Sequence, residues 1–176
     1  YLAVSSHSRQ ESLADFPGYF NTDSNGDIVL TMLLSQTPDN DELTAAAQLA
    51  YWIGQNNTGN IVWKVQLGPQ AVISNDSGTV ITTGQNRILT DKWTICDSLP
   101  VTVNADGTIK TSEWLSIAAD AIDRKNIFQV ARKGDNVIYS FTYANIENMK
   151  SFMRLAFING TNLNGQVALI DTDGQT

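Results

Sequence analysis

Residues 136–143 read NVIYSFTY, with Val137, Tyr139, Phe141 and Tyr143 alternating with Ile138, Ser140 and Thr142. A period of two in β-branched and aromatic residues selects a strand over a helix. Between Ile127 and Ile170 three more apolar runs of strand length, IFQVA, FMRLAFI and QVALI, are separated by RKGD, ANIENMK and NGTNLNG. Gly134 supplies the positive-φ residue that a tight hairpin over 132–135 needs. Three or four antiparallel strands with an apolar face make about the smallest self-supporting sheet. The expectation is therefore an antiparallel meander over 127–170, with the rest of the chain packed on it.

Upstream, residues 1–27 are polar and irregular, with turn signals at FPGY (16–19) and DSNGD (23–27). IVLTMLL (28–34) follows as a buried strand. Thr37 as a cap, Pro38 at the first helical position and the acids of DNDE predict a helix to about Tyr51, with Leu43, Ala46, Ala47, Ala50 and Ile53 on one face; LAYWI (49–53) also fits a strand. IVWKVQL (61–67) alternates, with Ile61, Trp63, Val65 and Leu67 on one side. AVIS-NDSG-TVIT and PVTV-NADG-TIK are hairpin patterns, and KWTIC (92–96) a strand. Thr111, Ser112 and Glu113 open a second expected helix, with Trp114, Ile117, Ala118, Ala121 and Ile122 on one side. The four tryptophans (52, 63, 93 and 114) are read as core residues. The sum is a mainly β (α+β) domain over residues 1–176: nine or ten antiparallel strands with hairpins, two short helices and no βαβ alternation.

Charged residues make up 16% of the chain against about 25% in an average domain. Neutral polar residues replace them, which suits a module built for contact, such as a capsid, adhesin or lectin-like part. The net charge of −7 without a basic run argues against nucleic acid. The lone Cys96 permits no internal disulfide and is read as a buried strand thiol. No dinucleotide or phosphate-loop motif is present, so no cofactor is expected. No metal is expected either: DSNGD places Asp23, Asn25 and Asp27 at alternate positions, but its glycine is fourth and Leu34 stands where a calcium loop needs glutamate. The longest apolar run, 28–34, is too short to cross a bilayer. A start at Tyr1 and a stop at DTDGQT suggest a piece of a longer polypeptide.

His7, flanked by Ser5, Ser6 and Ser8, is the sole histidine. Any serine hydrolase here must use it as base, most simply with Ser8, and with Asp15, Asp23 or Asp27 as the orienting acid. Adjacent side chains of a strand diverge, so His7 and Ser8 converge only in a turn. The bland alternative is a surface histidine in a polar arm.

The opening from LAVSSHSRQE to about Asp27 resembles the protruding domain of iflavirus capsid proteins. That resemblance implies a domain standing off an icosahedral shell at the virion surface, assembled with the remaining capsid proteins and made in the host cytoplasm. It implies contact with a host receptor or membrane lipid during attachment or entry, and none with nucleic acid. It also implies an esterase- or lipase-like constellation with His7 as base, Ser8 as nucleophile and Asp23 as orienting acid. The alternative is a non-catalytic, lectin-like or lipid-binding domain, which calls for an exposed aromatic in a shallow groove.

Overall fold

The computed structural model of the chain describes residues 11–18, 20–68, 78–90, 95–159 and 163–171. Among them are strands β1 (Ile28–Leu34), β2 (Ile61–Leu67), β3 (Thr79–Gln85), β4 (Val101–Val103), β5 (Ile109–Thr111), β6 (Lys125–Lys133), β7 (Asn136–Tyr143) and β8 (Val167–Asp171). The helices are α1 (Asn40–Asn56), the single turn α2 (Ala121–Arg124) and α3 (Ile146–Asn159). The chain is thus mainly β with packed helices, as expected, but the sheet is mixed rather than an antiparallel meander.

Six strands form one sheet in the order β2-β1-β3-β7-β6-β8, and β4 with β5 forms a separate antiparallel pair. β1 runs parallel to both β2 and β3, and β3 runs parallel to β7. β6 pairs antiparallel with β7 and with β8. β1-α1-β2 is therefore a βαβ unit, which the sequence reading had excluded. Parallel neighbours need a crossover of a dozen residues or more, and the 17-residue α1 supplies it. The signal for this was the run of β1, apolar at every position but Thr31, which marks a strand covered on both faces.

Both faces of the sheet's central strands are covered, while the edge strand β2 leaves Val62, Val65 and Leu67 exposed. Leu30, Met32, Ile81, Phe128, Phe141 and Tyr143 point to the side on which Ala45, Leu49 and Ile53 of α1 and Met149, Phe152 and Met153 of α3 pack. Leu33, Val80, Ile127 and Ile138 point to the other side, onto Leu89, Leu99, Val101, Val103 and Ile122. Phe16 enters the first core beside Phe141 and Tyr139, with ring centroids 4.6 and 5.0 Å away.

Several local readings change. FMRLAFI is the body of α3, not a strand. The Asn145 carboxamide accepts the N–H of Glu147 at 2.9 Å, which caps the helix, and Met149, Phe152 and Met153 bury at helical spacing. The helix expected from Thr111 survives only as α2. Ser112 N–H instead donates to Pro100 C=O and Thr111 Oγ1 donates to Leu115 C=O, so this stretch is tied to β4 and β5 as irregular chain. Trp114 there is 61% exposed, not core. Cys96 lies in a 3-10 turn, Cys96–Ser98, rather than a strand. The β6–β7 and β4–β5 hairpins form as read, with Gly134 at φ 59°. Trp93 and the AVIS half of the remaining hairpin lie outside the described residues.

The β4–β5 pair is stitched to the main sheet by a side chain. Gln129 of β6 is fully buried; its Oε1 accepts Val101 N–H at 2.8 Å and its Nε2 donates to Val101 C=O at 3.0 Å. The carboxamide thus fills the place of a strand backbone opposite Val101. Gln129→Leu strands both buried backbone groups, at about 1–3 kcal/mol each. It is expected to destabilise the fold by roughly 2–4 kcal/mol in urea titrations, with the m-value unchanged. A loss under about 0.5 kcal/mol would show that Val101 finds other partners.

Candidate functional site

Of the expected triad, His7 and Ser8 lie outside the described residues. Asp23 sits in its own turn: Oδ1 accepts the N–H groups of Asn25 at 2.8 Å and Asp27 at 2.9 Å, with Gly26 at φ 84°. This is an Asx turn, in keeping with the turn signal of DSNGD. Asp27 Oδ1 accepts from Asn60 Nδ2, and Asp15 lies in the 3-10 turn Leu13–Asp15. The Asp23 turn borders a cleft of about 430 Å³ that Thr22, Ser24, Val29 and Lys64 also line.

In open parallel sheets, ligands commonly bind at the carboxyl ends of the strands. Here the chain's own side chains occupy that end. Asp39 caps α1 by accepting Glu42 N–H at 2.8 Å, two residues past the expected Thr37 cap. Glu42 is buried and accepts Ser35 N–H at 2.6 Å and Ser35 Oγ–H at 2.5 Å. Gly84 of β3 lies against it with φ at +145°; a Cβ there would fall 2.9 Å from Ile88 Cδ1 and 3.5 Å from Glu42 Cδ. Tyr143, paired with Gln85, is buried, and its hydroxyl has no hydrogen-bond partner among the described residues. Burial first, and then the nearby carboxylates of Asp39, Asp41 and Glu42, push its phenol well above the ordinary tyrosine range.

That shift has a sign. Above about pH 10 an unfolded tyrosine ionises while the folded Tyr143 keeps its proton, so the folded state holds more protons and stability falls as pH rises. The urea midpoint is expected to drop as pH rises from about 10, and Tyr143→Phe is expected to reduce that drop. An equally steep drop in the variant would show that Tyr143 does not carry it.

The helical layer presents an open surface. The α1 residues 45, 49 and 53 face the sheet, leaving Leu43, Ala47 and Tyr51, four residues apart, on the outer side. Tyr51 is 58% exposed and Leu43 47%. Together with α3 they border a groove of about 830 Å³. Asn40, Thr44, Gln48 and the half-buried Trp52 complete the α1 wall, and Lys150, Ser151 and Arg154 form the α3 wall. The Tyr51 and Trp52 rings meet edge to face at 5.1 Å, which orients the exposed phenol. Lys150 Nζ pairs with Glu147 at 2.7 Å, while Arg154 is exposed and has no ion pair among the described residues. The arrangement offers an aromatic face, amide and hydroxyl groups, and two cations. Among the described residues, no hydroxyl of its lining is hydrogen-bonded to a side-chain base: Thr44 Oγ1 donates to Asn40 C=O, and Lys150 Nζ to Glu147.

Sequence reasoning missed the α3 wall because FMRLAFI looked like a strand. The Asn145 cap and the 149/152/153 spacing were the signal that would have found it. Comparison with protein-family models and with curated proteins found no match.

Proposed function

We propose that this chain is a non-catalytic binding domain of lectin-like character that holds a glycan in the α1–α3 groove. The observation that carries the proposal is the exposed Tyr51 ring set in an open groove among Asn40, Thr44, Gln48 and Ser151. Aromatic faces stack on the apolar faces of sugars, and amides and hydroxyls exchange hydrogen bonds with sugar hydroxyls. The low charge and neutral polar surface of the chain suit the same role. Attachment from a virion surface, which the resemblance of the amino-terminal segment implies, would be one setting for such a groove; that setting rests on the resemblance alone.

The second reading is the Ser8–His7–Asp23 hydrolase. Its support is that the Asp23 turn borders a cleft. The two readings separate by mutation. Affinity electrophoresis through polysaccharide gels is expected to show retardation that Tyr51→Ala reduces at least tenfold, while His7→Ala and Ser8→Ala leave it unchanged. No retardation by any polysaccharide would overturn the glycan reading, and ester cleavage abolished by Ser8→Ala would favour the hydrolase.

A further inference from the structure

The charge around the groove departs from that of the chain. Acidic residues outnumber basic ones 18 to 11, yet the lining holds Lys150 and Arg154 and no carboxylate. The two cations sit four residues apart on α3, on the same side of the helix. They face a neutral α1 wall made of Leu43, Ala47, Gln48 and Tyr51. Lys150 is engaged by Glu147, so its charge is largely offset. Arg154 is exposed, and no partner among the described residues takes up its charge. A planar guanidinium of this kind matches a carboxylate in bidentate fashion.

We infer that the glycan of the α1–α3 groove is a carboxylated, uronic-acid-type polysaccharide, with Arg154 receiving the carboxylate and Tyr51 stacking on a sugar face. This rests on the proposed groove reading and adds the charge of the ligand to it. An anionic lipid surface fits less well. Such surfaces are held by clusters of about four to eight basic residues; the groove has two cations, and the chain as a whole is negative. The volume of about 830 Å³ is that of a ligand site, and it opens along two helices, as an extended chain requires.

The experiment compares acidic glycans with neutral counterparts: polygalacturonate against its methyl ester, with alginate, cellulose and mannan oligosaccharides alongside. Calorimetry at low and at raised salt is expected to show at least one acidic glycan bound tenfold or more tightly than the neutral ones. That margin is expected to shrink with salt and to vanish in Arg154→Gln, while Tyr51→Ala weakens acidic and neutral forms alike. Arg154 is exposed, so circular dichroism of the variant is expected to match the wild type. Neutral and acidic forms bound equally, with Arg154→Gln silent, would overturn the charge assignment and leave the groove reading standing. Binding of no glycan would overturn both. Arg154-dependent binding to phosphatidylserine vesicles in place of acidic glycans would reassign the cation to lipid.

Discussion

The central strands of this domain have no solvent face. β3, β7 and most of β6 are buried on both sides, between a helical layer and an irregular layer built around the β4–β5 pair. Each polar side chain on these strands must then find its partner inside the protein, because water cannot supply one. Thr82 donates to Leu33 C=O, Thr83 to Phe141 C=O and Thr142 to Ile127 C=O. Gln129 does more, since its carboxamide substitutes for a backbone and joins two sheets that share no strand pairing. The hydroxyls of Ser140 and Tyr143 and the Nδ2 of Asn126 are the exceptions on these strands among the described residues. They mark where apolar packing outweighed polar satisfaction.

The double cover also decides where a ligand has room. Glu42, Ser35 and Ile88 close over the carboxyl ends of the parallel strands, and the close approach at Gly84 leaves no space for a side chain there. The outer surface of the helical layer is unobstructed. α1 needs only one stripe, Ala45, Leu49 and Ile53, to hold it on the sheet. Its other face is free to carry Leu43 and Tyr51, and α3 beside it carries Arg154 and Lys150. Trp52, which lines the groove and packs on the core, braces Tyr51 from the side.

Much of the fold was legible in local patterns. The runs at 28–34, 61–67, 79–82, 127–131, 136–143 and 166–170 all fall on strands, and Pro38 with the acids after it does introduce a helix. Two local readings fail, for different reasons. FMRLAFI was assigned by its apolar content, although the Asn145 cap and the turn-by-turn burial of Met149, Phe152 and Met153 make it helical. The stretch after Thr111 has helical spacing, yet hydrogen bonds to Pro100 and Leu115 hold it in another shape. Of the candidate site, Tyr51 stands in a segment that reads both ways, Arg154 lies inside the run that looked like a strand, and Lys150 lies in the break before it.

From its own residues the chain determined which segments extend, which coil and where the tight turns fall, because spacing, caps and positive-φ glycines act over a few residues. Strand direction was left to the tertiary structure. An alternating or apolar strand reads the same whether its neighbour runs parallel or antiparallel, and only the crossover packed by α1 chooses. The groove was likewise decided by packing alone: Tyr51 and Arg154 lie about a hundred positions apart, and nothing local tells either of them that the sheet beneath will bring their helices side by side.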